Sequence, residues 1–136
     1  MTLAQRQGLA VAAGSALGAL ARLWVSVLLY SAPGLTFPWS TLTVNVLGSL
    51  LIGACAALTA PEGRWQLGLE ARLFLMGGFC GGFTTFSFFS LETLLLLGQG
   101  NWPLALLYVG LTLLLCLLAV AAGFHGGQLL QTQKSR

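Results

Sequence analysis

Charge is scarce in this sequence. Only 7% of its 136 residues are charged and 57% are hydrophobic, and the mean hydropathy is +0.87. A soluble domain usually carries about 25% charged residues, which keep its surface in water. The composition therefore excludes an ordinary soluble domain and indicates an integral membrane protein.

Metal-binding, catalytic and nucleic-acid-binding motifs are equally scarce. Cys55, Cys80 and Cys116 lie inside apolar stretches, with no CxxC spacing and no neighbouring histidine. This arrangement favours buried free thiols over a disulfide framework or a metal site. The single histidine, His125, falls at the end of an apolar stretch, where we expect an interfacial side chain. The sequence holds no basic stripe, phosphate-binding loop or catalytic triad, so we expect neither an enzyme nor a nucleic-acid-binding protein.

Four apolar stretches are long enough to cross a bilayer core of roughly 30 Å. They comprise residues 7–30, 40–58, 71–97 and 103–124, and the connections between them contain proline and glycine. The first stretch is too long for the core of a signal peptide and contains Arg22, so we expect it to be retained. The sequence thus predicts an all-α membrane protein, with one four-helix transmembrane domain over residues 1–136.

The basic residues other than Arg22 are distributed unevenly. With four spans, all of them fall on the side of the termini, whereas the two opposite connections hold no lysine or arginine. These residues are Arg6, Arg64, Arg72, Lys134 and Arg136. The positive-inside rule then predicts that both termini lie in the cytoplasm.

The third span contains an unusual run, Gly77-Gly-Phe-Cys-Gly-Gly-Phe-Thr-Thr-Phe-Ser-Phe-Phe-Ser90. Its glycines weaken a helix, because glycine loses more conformational freedom in a helix than other residues. We therefore predict a broken third helix, with the break at the cluster Gly77, Gly78, Gly81 and Gly82. Unwound backbone persists in a bilayer only where protein covers it or where it lines a site for an ion or substrate. The predicted break thus indicates a functional site.

Polar side chains within the spans are further candidates, because they are costly to place in a bilayer. Arg22 is either a snorkelling interfacial arginine or a positive group in an aqueous vestibule that attracts anions. Asn45 either joins two helices or offers its NH2 group to an anion. Glu92 would repel an anion if ionised, so a protonated vestibule carboxyl and a helix-packing role both stay open.

Aromatic and hydroxyl side chains follow the predicted break. Phe86 and Phe89 are three residues apart and therefore share one face of the restarted helix. Such a pair is either core packing or a surface for an anion, because the edges of phenyl rings carry partial positive charge. Tyr108 and Thr112 lie four residues apart on the fourth span and therefore share one helix face. This face forms either a contact with another helix or the wall of a pore.

With these residues, the sequence resembles the fluoride channels of the Fluc or CrcB family. The resemblance covers the whole chain and includes its length, its four spans and the segment Thr41-x-x-x-Asn45-x-x-Gly48-Ser49. The run from Gly77 to Ser90 is its most specific part. Phe83 and Phe88 depart from the family, in which leucine and threonine are frequent at these positions. Phenylalanine in place of threonine at position 88 would leave fewer polar groups in the lining of a pore.

The resemblance implies an antiparallel, dual-topology homodimer in a bacterial inner membrane. Two pores at the subunit interface would passively export fluoride from the cytoplasm and relieve its toxicity. By motif, Phe86 and Phe89 would form an aromatic box, and Asn45 would be a donor at the pore mouth. Arg22 and Glu92 would lie in the vestibule. The resemblance also implies a polar track of four side chains, namely Ser87, Ser90, Tyr108 and Thr112.

A structural Na⁺ ion at the dimer centre is also implied by the resemblance. By motif, the helix break would run from Gly81 to Thr84, and the main-chain carbonyls of these two residues would hold the ion. Oxygen dipoles from an unwound turn suit a hard monovalent cation. Such a cation would also raise the local potential for an anion nearby.

Alternatives stay open for both the partner and the function. The one-sided basic residues disagree with a chain that inserts in both orientations, so the partner is either a second copy or an oppositely oriented paralogue. A small proton-coupled multidrug exporter is the alternative function, since such exporters also have four helices, and a membrane scaffold that transports nothing is a third possibility. The exporter needs an intramembrane carboxylate, usually in the first helix, and the first span here contains no Asp or Glu.

Overall fold

The computed structural model describes residues 1–29, 37–61, 63 and 65–132. In chain order, its elements are α1 (Leu3–Leu28), α2 (Trp39–Leu58), α3 (Leu69–Arg72), a π-helix (Leu73–Cys80), α4 (Gly81–Phe83), α5 (Phe86–Gly98) and α6 (Trp102–Thr132). Among the described residues, four helical segments are long and apolar enough to cross a membrane: Leu3–Leu28, Trp39–Leu58, Leu69–Gly98 and Trp102–Gln131. The predicted all-α membrane class with four spans is confirmed.

Some sequence predictions concern residues outside the described part of the chain. These are the end of the first predicted span at Tyr30, most of the following connection, and three basic residues, Arg64, Lys134 and Arg136. The fourth helix continues past the predicted end at residue 124, as far as Thr132. His125 therefore lies within α6 rather than at its end, with an exposed side chain.

Helix α1 packs closely against the first half of the third span, residues 69–83. A Cβ atom added at Gly14 would meet the carbonyl oxygen of Phe74, and one added at Gly18 would meet that of Phe79. Gly82 lies equally close to the backbone of Ser15. Small residues let two backbones approach in this way. The spacing Gly14-x-x-x-Gly18 in the sequence predicts such a close approach of another helix, and the structure confirms it.

Helices α2 and α6 form a second closely packed pair. A Cβ atom at Gly53 would meet the carbonyl oxygen of Val120, and one at Gly123 would meet that of Leu50. Helix α5 then lies against α6, where Leu96 belongs to a buried cluster with Leu42, Ala105 and Tyr108. The two halves of the third span therefore pack against different helices, the first half on α1 and α5 on α6.

The turn between α5 and α6 is short. Gly100 adopts a φ of +76°, a conformation that suits glycine because it lacks a Cβ atom. The amide of Asn101 donates to the carbonyl of Leu96 at 3.0 Å, and the amide of Gly100 donates to that of Leu97 at 3.0 Å. These bonds close the end of α5 and direct α6 back along it.

The third helix is broken, as predicted, but the position of the break needs correction. Gly81 is helical, with φ −65° and ψ −37°. Thr84 (φ −76°, ψ 160°) and Thr85 (φ −146°, ψ 119°) are extended instead. We refer to these two threonines as the break. Gly78 and Gly82 stay helical and bring the helix against the backbone of α1, so they serve close packing rather than unwinding.

Candidate functional site

Asn45 of α2 binds the break through its side-chain amide. Its Oδ1 accepts a hydrogen bond from the backbone amide of Thr85 at 2.7 Å, and its Nδ2 donates to the carbonyl of Thr85 at 3.0 Å. Both residues are buried. The amide thus replaces the helical partners that Thr85 gives up in its extended conformation, as buried backbone groups require.

The side chains of the two threonines complete the local structure. The Oγ1 of Thr84 donates to the carbonyl of Cys80 at 3.0 Å, within the preceding helix. The Oγ1 of Thr85 accepts from the amide of Phe88 at 3.2 Å and is the N-cap of α5. Gly48 of α2 makes room for the methyl group of Thr84. The break is therefore an ordered connection between two helices.

Arg22 reaches the break from α1. Its Nη1 donates to the carbonyl of Thr84 at 3.3 Å, and its side chain is half-buried. Arg22, the predicted vestibule charge, thus contacts the unwound backbone of the break. α1 therefore binds Thr84 and α2 binds Thr85.

A cavity of about 370 Å³ lies beside the break. Its lining includes Gly81 and both threonines of the break, and its polar side chains come from α2, the break and α6, namely Asn45, Ser49, Thr84, Thr85 and Thr112. Among its described lining residues, none is Asp, Glu, Lys, Arg or His. Thr112 is buried, and its Oγ1 has no hydrogen-bond partner within the described part of the chain. The cavity thus offers hydrogen-bonding groups without a charged side chain.

Phe86 and Phe89 both line this cavity. Their ring centroids are 5.8 Å apart with an interplanar angle of 41°, so the predicted pairing on one face of α5 is confirmed. Phe89 also lies 5.3 Å from the ring of Tyr108. Phe86, by contrast, is 78% exposed within the single chain. The Phe86 ring is thus free to contact a partner or an ion.

Glu92 receives two hydrogen bonds inside the helix bundle. The Oγ1 of Thr41 donates to its Oε1 at 2.9 Å, and the hydroxyl of Tyr108 donates to its Oε2 at 2.7 Å. The carboxyl group therefore joins α2, α5 and α6. Tyr108 is 0% exposed, so in the single chain its hydroxyl faces Glu92 rather than the cavity. The pairing of Thr41 with Glu92 was not predicted, although Thr41 lies one helical turn before Asn45.

Comparison with known proteins identifies the family. The family model described as CrcB-like protein, Camphor Resistance (CrcB), matches residues 9–124. The chain belongs to the CrcB family. A relative from Rhodospirillum rubrum is 49% identical over 122 residues, which cover 88% of this chain and 93% of the relative. One from Opitutus terrae is 53% identical over 113 residues, covering 83% and 86%. Both relatives are named fluoride-specific ion channel FluC.

In this CrcB chain, the structure brings together only some of the predicted site residues. Asn45, Phe86, Phe89, Thr112, Gly81 and Thr84 meet at the cavity. Ser87 is exposed and Ser90 is half-buried, and neither lines the cavity of the single chain. Their place in a polar track stays a prediction. The four spans and the similarity to bacterial CrcB relatives together identify the chain as a multi-pass bacterial membrane protein.

Proposed function

We propose that this chain conducts fluoride selectively and passively out of the cytoplasm and so relieves fluoride toxicity. The observation that carries the proposal is the cavity at the break, whose uncharged lining combines two phenyl rings with Thr112, a residue whose buried hydroxyl has no hydrogen-bond partner within the described part of the chain. The relatives named fluoride-specific ion channel support the same function. We propose a channel rather than an enzyme.

The chemistry of the cavity suits fluoride. Fluoride holds its water tightly, so a selective path must supply other donors in a narrow space. The hydroxyl of Thr112 and the second N–H of Asn45 are such donors, and the edges of Phe86 and Phe89 carry partial positive charge. Conduction also requires that binding be weak enough for the ion to leave. The uncharged lining meets this requirement because it holds no cationic side chain to trap an anion.

We propose that a second copy of the chain, in the opposite orientation, completes the path. One chain leaves Phe86 78% exposed beside the cavity, and a Cβ atom added at Gly81 would meet nothing within 4 Å. Two equivalent cavities related by a two-fold axis would then give two pores per dimer. An oppositely oriented paralogue is the alternative partner, and the mass of the purified complex would identify it.

The carbonyls of Gly81 and Thr84 fit a Na⁺ site at the centre of this dimer. The helical donor for Gly81 would be the amide of Thr85, which donates to Asn45 instead, so the Gly81 carbonyl is available. The Thr84 carbonyl accepts one hydrogen bond, from Arg22, and has a second lone pair. Two chains would supply four carbonyl oxygens, ligands that suit a hard cation. When bound, Na⁺ would raise the local potential for an anion.

Reconstitution into liposomes tests the proposed function. Vesicles loaded with fluoride should release it when the purified chain is present, as measured with a fluoride electrode, while chloride is nearly retained. A cationic dye serves as a control for exporter activity. Equal efflux of fluoride and chloride would overturn the proposal, and proton-driven dye transport without fluoride efflux would favour the exporter.

A further inference from the structure

We infer that Asn45 is a positioning residue, whose amide holds the break so that Thr85 can cap α5 and orient Phe86 and Phe89. The inference assigns the amide a task other than donating to the ion. Its effect on ion flux rests on the proposed function, whereas its effect on the backbone does not.

The first step is that the side-chain amide of Asn45 binds the backbone of Thr85. Its oxygen and one of its N–H groups both bind Thr85, at 2.7 and 3.0 Å. A carboxylate at this position could accept from the Thr85 amide but could not donate to its carbonyl. Alanine would leave both backbone groups without these partners in a buried place, and buried unpaired groups are costly. Only one N–H of Asn45 then remains for the cavity.

The second step leads from Thr85 to the phenyl rings. Thr85 is the N-cap of α5, and its Oγ1 accepts from the amide of Phe88. Phe86 is the first residue of α5 and follows Thr85 directly. Because the backbone of Thr85 is fixed by Asn45 and its side chain fixes the first turn of α5, the amide sets the direction in which that helix starts.

The third step is the exposure of residues 86–88 at the start of α5. Phe86 is 78% exposed and Phe88 is 53% exposed, and Ser87 is also exposed. The buried residue of α5, Leu96, lies near the opposite end of the helix. Arg22 holds the neighbouring Thr84 from α1, but through its carbonyl only. Phe89, at the end of this turn, packs on Tyr108 with ring centroids 5.3 Å apart, so the contact between Asn45 and Thr85 holds the residues of α5 that precede this packing.

Backbone amide exchange, measured without fluoride, tests the positioning role directly. In Asn45→Ala and in Thr85→Val, amides in residues 85–89 should exchange faster by roughly fivefold or more, as expected for loss of a helix cap. Thr85→Ser keeps a capping hydroxyl and should exchange like the parent. Thr112→Val changes the same cavity without touching the break, and it should leave these amides unchanged. Unchanged exchange in both Asn45→Ala and Thr85→Val would overturn the inference.

Flux measured against fluoride concentration separates positioning from ion binding. Asn45→Ala and Thr85→Val should both lower the maximal flux while leaving the half-saturating concentration near that of the parent. Thr112→Val should raise the half-saturating concentration. A raised half-saturating concentration in Asn45→Ala with parent-like exchange would overturn the inference and make Asn45 an ion ligand. Absence of fluoride flux in the parent would refute the proposed function, while the exchange experiment would still decide the positioning role.

Discussion

The two halves of the third span use different means of packing. In residues 69–83, Gly78 and Gly82 bring the helix backbone against the backbone of α1. In α5, side chains make the contacts: Phe89 meets Tyr108, and Glu92 bonds to residues of α2 and α6. A continuous helix would keep one direction through both regions. The break lets each half pack against its own partner and opens a cavity between them.

This difference predicts that the first half is the more sensitive to added volume. Gly82→Ala should greatly reduce recovery of folded protein, because its Cβ atom would meet the backbone of Ser15, which cannot move aside. Such overpacking costs about 1–3 kcal/mol or more. Recovery and thermal stability by size-exclusion chromatography in detergent would measure the effect.

Gly81→Ala is the matched control, since nothing lies within 4 Å of its added Cβ atom. The single chain should tolerate it, so a loss seen only in the dimer would locate the partner near Gly81. Equal recovery of Gly82→Ala and the parent would contradict the close packing of the first half.

In the second half, the expected loss is one of function. Phe86→Ile should abolish most fluoride efflux from liposomes. Because the ring is largely exposed in the single chain, the change should alter the free energy of unfolding of that chain by less than about 0.5 kcal/mol. Phe89→Ile should lose efflux too, and should cost about 1 kcal/mol of stability through its contact with Tyr108. Parent-like efflux from both variants would show that the rings only pack.

Thr112→Val should separate stability from conduction. The change removes a buried hydroxyl that has no partner in the described part of the chain and keeps the shape of the side chain. We expect the protein to gain about 1 kcal/mol of stability and to lose part of its fluoride efflux. A loss of stability in thermal unfolding would contradict this expectation, since it would show that the hydroxyl forms a bond in the folded protein.

Tyr108→Phe should have the smallest effect. It removes one of the two hydrogen bonds to Glu92 and leaves the one from Thr41. Hydrogen bonds between membrane helices contribute about 1 kcal/mol, so a modest fall in thermal stability is expected. Thr93→Val is the control, because its hydroxyl donates to Phe89 within its own helix. If both variants had the same stability, the Glu92 contacts would not stabilise the bundle.

Much of the fold follows from the sequence. Apolar length alone predicts the four spans, and the spacing of Gly14 and Gly18 predicts a close helix contact, because both signals are local. The position of the break was harder to predict. Glycine lowers helix propensity, but tertiary packing overrides propensity, and here the glycines at 78 and 82 stay helical against α1. The break falls at Thr84 and Thr85, where Asn45 supplies replacement hydrogen bonds.

The candidate site was predicted only in part, because some of its contacts depend on how the helices pack together. Phe86 and Phe89 share a face by helical periodicity, and the structure pairs them. The bonds from Thr41 and Tyr108 to Glu92 join three helices and depend on their relative placement, which periodicity within one helix does not contain. The positions of Ser87 and Ser90 in a path depend on a second chain and stay predictions.

The most direct test of fluoride selectivity is the reversal potential of the purified chain in a planar bilayer. With unequal fluoride and equal chloride on the two sides, the reversal potential should follow the fluoride gradient. With unequal chloride and equal fluoride, it should stay near zero. A current that follows the chloride gradient, or no current in either condition, would contradict fluoride-selective conduction at the break.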